Sequence, residues 1–103
     1  MFKMIALYKE MDDPSFEDFY RNEFLPKLLR VPGVVKVRVN RLVSTGISSE
    51  KYALLAETYY ESAEAMEAAM KRPEAAEITK MILEKAAGSI SIYFAPDEEV
   101  YTK

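Results

Sequence analysis

VVKVRVNRLVSTGISSEKYALLAETYY, residues 34–60, decides the fold. Its first part alternates. Val35, Val37, Val39 and Arg41 fall on one side of an extended chain, and Lys36, Arg38, Asn40 and Leu42 on the other. Successive side chains of a strand point to opposite faces, so the pattern predicts a strand over residues 34–45 with one apolar and one mostly polar face. A polar turn over residues 46–50 leads to a second strand over residues 51–60. There Leu54, Ala56, Thr58 and Tyr60 oppose Ala53, Leu55, Glu57 and Tyr59. A link this short joins antiparallel neighbours.

Working outward, residues 2–9 (FKMIALYK) form a short apolar strand. Both of its sides are greasy: Ile5 and Leu7 on one, Met4, Ala6 and Tyr8 on the other. Asp13-Pro14 then opens a helix, because aspartate caps free N–H groups and proline at the first turn loses no bond. Glu17 and Asp18 suit the positive end of its dipole. Phe16, Phe19, Tyr20, Phe24 and Leu28 follow at helical spacing. Pro26 interrupts this helix and predicts a kink, before Pro32-Gly33 ends it. Beyond the hairpin, Ser62 caps a short helix and Pro73 starts another, with Ile78, Met81, Ile82 and Ala86 as its stripe and Gly88 as its stop. Residues 89–95 are the last strand, with Ile90, Ile92 and Phe94 opposite Ser91 and Tyr93. Residues 96–103 are a tail, so residues 1–103 read as one domain.

Strand, helix, strand, strand, helices, strand is the βαββαβ order of the ferredoxin-like α+β plan, with a four-stranded antiparallel sheet. Its helices cover one face of the sheet only. The other face is expected to hold Met4, Ala6, Tyr8, Leu42, Ala53, Leu55, Tyr59 and Tyr93 beside Lys36, Arg38, Asn40 and Glu57. Such a surface exceeds what a monomer usually leaves open, so a homodimer with two facing sheets is expected. Burying 500 Å² of apolar surface per subunit would contribute on the order of 12 kcal/mol before association costs.

Composition removes whole classes of chemistry. The 103 residues include no cysteine and no histidine. Disulfides, thiolate nucleophiles, Ser-His triads, Cys/His zinc sites and histidine-ligated haem are excluded. A net charge of −3, from 17 acidic and 14 basic residues, argues against nucleic acid. No stretch approaches the roughly 20 apolar residues of a membrane span, and residues 1–8 lack the length and cleavage site of a secretory signal. Cytoplasmic residence is the expectation. The acidic run at 97–99 lacks the ligand spacing of a calcium loop, so no metal is expected.

The run DPSFEDFYRNEFLPKLLRVPG, residues 13–33, resembles the EthD family, named for ethyl tert-butyl ether degradation. That family has a helix of the form F-x-x-x-Y-x-x-x-H-x-P-L and then a proline-glycine, after a strand ending near Leu-Tyr-Lys. Leu7-Tyr8-Lys9, Phe16, Tyr20, Pro26, Pro32 and Gly33 fit, as do Ala56-Glu57 with Tyr60, and Arg72-Pro73-Glu74 opening a helix. The resemblance covers about residues 2–95. It implies a dimeric α+β barrel in which two ferredoxin-like sheets close around a cavity. It also implies a small apolar or aromatic ligand and no bound cofactor, with no settled reaction to carry over. The family's histidine position is Phe24 here. Histidine is the side chain best suited to proton exchange near neutral pH, and phenylalanine cannot replace it.

The cavity between the sheet and the first helix is the expected ligand site. Tyr8 could donate a hydrogen bond there or simply be half-buried with its hydroxyl in water. Glu57, a carboxylate in mid-strand, is either a general base with a raised pKa or the partner of Lys36 or Arg38. Arg38 and Asn40 either orient a polar ligand or line the dimer seam. Tyr59 and Tyr93 either flank an aromatic ligand or belong to the interface, and Phe24 fills pocket or core. Two functions stay open: a small-molecule binder or enzyme of the EthD type, and a non-catalytic ligand-binding or dimerisation module.

Overall fold

Strand β1 (Phe2–Lys9) sits inside the sheet, flanked by β3 (Tyr52–Tyr60) and β4 (Ile90–Ala95), with β2 (Lys36–Arg41) beyond β3. The computed structural model describes residues 1–103. All neighbouring strands are antiparallel and the order is β2-β3-β1-β4, the ferredoxin-like arrangement. The hairpin strands are shorter than the alternation predicts, because pairing stops near Arg41 and Tyr52 and the chain between them turns through solvent.

The first helical segment answers the question Pro26 poses. It runs as α1 (Phe16–Phe19), a π-helical turn (Tyr20–Phe24) and α2 (Leu25–Leu28). Pro26 has no N–H, and its ring would strike the Asn22 carbonyl in a regular α-turn. The chain inserts the slack one turn earlier, where the Leu25 N–H reaches back to the Tyr20 carbonyl. The wider turn keeps Phe16, Phe19, Tyr20, Phe24 and Leu28 buried on one side. Gly33, at φ 100°, ends the segment; a β-carbon there would lie 3.3 Å from that of Ala69, so only glycine fits both the turn and the neighbour.

Helices α3 (Ala63–Met70) and α4 (Pro73–Ala86) complete the second layer. Ser62 caps α3 by accepting from the Ala65 N–H, as its position predicts. Gly88, at φ 78°, turns the chain from α4 into β4.

One sequence expectation is reversed. Met4, Ala6 and Tyr8 do not lie on the open face; they point under the helices, where Tyr8 is only 2% exposed. The register fixes this. Met4 pairs with Thr58, Ala6 with Ala56 and Tyr8 with Leu54, all residues of the helix side. Paired residues share a face, so Lys3, Ile5 and Leu7 go to the open side with Tyr59, Glu57 and Leu55. Most of the expected open face stands: Lys36, Arg38 and Asn40 pair with Tyr59, Glu57 and Leu55, and Tyr93 with Ile5, while Leu42 and Ala53 line a cleft with Tyr8 and Phe16.

Candidate functional site

Ala6 and Ala56 are cross-strand partners in the middle of the helix side of the sheet. Alanine is a poor strand former. Two of them side by side leave a hollow that the larger Tyr8, Thr58 and Tyr60 surround. Helices α2 and α4 and the π-turn roof it. The result is a cavity of about 210 Å³ lined by 19 residues, none of them charged. Tyr8, Tyr20, Phe24 and Tyr60 line it along with Ile78, Ile82 and Ile92. It opens along the edge strand, where Ile92 and Phe94 are 50% and 58% exposed.

The polar atoms of this cavity are hydroxyls. Tyr8 and Tyr20 meet edge to face, with ring centroids 5.2 Å apart, and Tyr20 stacks on Phe24 at 5.1 Å. Burial, reinforced by Tyr20 next to it, pushes the Tyr8 phenol far up. Burial pushes Tyr20 up to about 12, with the neighbouring Tyr8 hydroxyl and Arg21 acting in the opposite direction. Tyr60 is also raised by burial. These groups hold their protons at neutral pH, so they act as donors and not as bases. No side-chain hydrogen bond of the structure includes the hydroxyl of Tyr8 or of Tyr20.

An alkaline pH series tests this burial. In an unfolded chain these phenols ionise near pH 10, while the folded state keeps their protons. Stability is therefore complete below pH 10 and falls as pH climbs through about 12 for Tyr20. That residue accounts for about 2–3 kcal/mol across the window. Urea unfolding at pH 9, 11 and 12 should show a smaller fall in Tyr20→Phe. Equal falls in variant and wild type would mean Tyr20 ionises freely in the fold.

On the far side of Tyr8 lies an open cleft of about 360 Å³, floored by Tyr8, Phe16 and Leu54 and rimmed by charge. There Arg41 donates to Glu17 at 2.9 Å. Tyr8 thus separates a polar outer cleft from an apolar inner cavity.

The structure divides the sequence-derived candidates between two faces. Tyr8 and Phe24 line the cavity. Glu57, Arg38, Asn40, Tyr59 and Tyr93 share the open face and do not line it. Glu57 forms an ion pair with neither Lys36 nor its cross-strand neighbour Arg38: Lys3 of β1 donates to it at 2.6 Å. That bond raises the Lys3 pKa. Tyr59 is 8% exposed because Lys36, Arg38 and Lys3 crowd over its ring at 4.7, 5.5 and 5.6 Å. Lys36 and Arg38 have no acidic partner. Sequence reasoning placed Tyr20 in the helical stripe and in the family pattern but not among the site residues, and it missed the alanine pair; alanine at two mid-strand positions was the available signal.

A sheet in ferredoxin-like order, covered on one face and hollow beneath its helices, defines the class: a small ferredoxin-like α+β protein with ligand-sized space between its layers. Within that class, the chain is similar to an EthD family protein from Bacillus halodurans. The two are 27% identical, with a TM-score of 0.88 over 95% of this chain and 99% of that one. An EthD-like protein from Ralstonia eutropha is 18% identical, with a TM-score of 0.68 over 91% and 88% of the two chains. A dimeric protein of unknown function with a ferredoxin-like fold, from Bacteroides fragilis, is 19% identical, with a TM-score of 0.61 over 93% and 95%. No protein-family model matches the chain, and none of the curated proteins does. The resemblance read from residues 13–33 thus extends to the whole fold, and Phe24, at the family's histidine position, stands in the cavity wall. No helix is long and apolar enough to cross a membrane.

Proposed function

We propose that this protein binds a small, largely apolar molecule in the cavity between its sheet and helices, and that it works as a homodimer joined through the open sheet face. The observation that carries the binding reading is the uncharged cavity of about 210 Å³ with three buried phenols, Tyr8, Tyr20 and Tyr60, in its wall. A dry apolar cavity of about 150 Å³ already holds benzene, so this one suits a compound of about one ring. The lining includes no carboxylate, amine or imidazole to exchange protons near neutral pH. This favours a binding module over a catalyst at this position.

The dimer is supported by exposed surface. The chain exposes 7084 Å², whereas a compact monomer of its mass exposes about 5,900 Å². Its radius of gyration, 14.4 Å, also exceeds the roughly 12.8 Å of a compact chain this long. Ile5, Leu7, Leu55 and Tyr93 lie uncovered by any helix, and the similar Bacteroides fragilis protein is described as dimeric. Arg38, Asn40, Glu57 and Tyr59 fall in this proposed seam.

Ala56→Leu tests the cavity. The added side chain should occupy the hollow at little cost in stability, because the space is already empty. Binding of toluene, followed by chemical-shift changes at the methyl groups of Met4, Ile78 and Ile92, should appear in wild type and disappear in the variant. A loss of about 1–3 kcal/mol on substitution would show instead that the site was packed. Toluene binding that survives in the variant would place the ligand elsewhere.

A further inference from the structure

Lys36 and Arg38 stand exposed on the open face with no acidic partner in their own chain, and what they require rests on the dimer reading above. A face-to-face seam takes both cations out of water, and a cation buried there without a carboxylate is strongly destabilising. The sheet cannot supply one. Glu57 is the only acid in the four strands, and Lys3 already holds it. A second copy of the same face brings the same residues. Free carboxylates lie instead in the tail, residues 96–103, all exposed and without a backbone hydrogen bond. Glu98 reaches its own Lys3 at 3.8 Å, whereas Asp97 and Glu99 meet no cation. Asp97 and Glu99 are spaced i, i+2, as Lys36 and Arg38 are. In an extended chain that spacing puts both members on one side, about 7 Å apart.

The register brings the two sets within reach. Lys36, Tyr59, Lys3 and Ala95 form one row across the sheet, and the tail leaves β4 at the end of that row. A two-fold axis parallel to the strands keeps each row at its level and exchanges the edges of the sheet. It sets Ala95 of one copy opposite Lys36 of the other, about 10 Å away, the spacing of packed sheets. About three extended residues span that gap. Within one chain the same two ends lie three strand spacings apart, about 14 Å. We propose that in the dimer the tail of each copy crosses to the other, and that Asp97 and Glu99 pair with the partner's Lys36 and Arg38. Tyr59, beneath those cations at 4.7 and 5.5 Å, holds them on the seam side.

Two charge-reversed chains test the crossing, Lys36→Glu/Arg38→Glu and Asp97→Lys/Glu99→Lys, with mass followed by sedimentation over a concentration series at neutral pH and low salt. Each alone should dimerise about a hundredfold more weakly than wild type, because tail and face then repel. Mixed in equal amounts they should recover most of the wild-type affinity, since in the mixed dimer both crossings join opposite charges. Asp97→Asn/Glu99→Gln, confined to the exposed tail and harmless to the core, should weaken the dimer about tenfold. Tail variants that dimerise as wild type does would overturn the crossing and leave the open face as the seam. A mixture that stays monomeric would overturn it too, and recovery in a chain carrying both reversals would then put the tail on its own face. A monomeric wild type would overturn the crossing and the dimer together.

Discussion

Leu7→Glu is expected to run as an 11.8 kDa monomer under conditions where the wild-type chain runs at twice that mass. Leu7 lies on the helix-free side of β1, beside Leu55 of β3 and Ser91 of β4. In a single chain a glutamate there stays wet and the helix-side packing is untouched. In a face-to-face dimer the same carboxylate leaves water, twice over by symmetry, at a cost of several kcal/mol each. That is comparable to the whole association energy of a micromolar dimer, about 8 kcal/mol. Light scattering at micromolar concentration reads the mass, and circular dichroism checks that the variant keeps its fold. A wild-type chain that is itself monomeric, or a variant that stays dimeric, would remove the open face as the seam.

Leu54→Ala is expected to be the most destabilising single truncation. Leu54 is fully buried, paired with Tyr8 on one side and Arg41 on the other, and packed beneath the first helix. It is the wall between the inner core and the outer cleft. Truncation removes that transfer energy and leaves a cavity that the aromatic cluster of Tyr8, Phe16 and Tyr20 is too rigid to fill. The cost is about 3–4 kcal/mol. A domain of this length has only about 5–15 kcal/mol in total. The melting temperature should fall by about 15–25 °C. A fall under 5 °C would mean that the outer cleft already lets this part of the core relax.

The candidate site was legible in the sequence only in part. The aromatic stripe from Phe16 to Leu28 announced itself by helical spacing, and its residues are buried as that spacing requires. The cavity did not announce itself. A void is a property of facing surfaces, and Ala6 and Ala56, 50 positions apart in the chain, become neighbours only when β1 pairs with β3. Glu57 shows the same limit. Its neighbours on β2 were foreseeable from the hairpin, but its partner, Lys3, comes from the strand on the other side.

Alone, the sequence determined the order of the elements, the hairpin, the helix stops at Gly33 and Gly88, the Ser62 cap and the absence of histidine and cysteine chemistry. Each of these depends on local geometry or on composition, which need no partner. The tertiary structure alone decided which side of β1 meets the helices. Alternation sorts side chains into two sets but does not say which set is inside, and a strand apolar on both sides offers no preference. Only its register with β3 and β4 breaks that tie, placing Tyr8 beside Tyr20 in the cavity wall and Leu7 on the uncovered face.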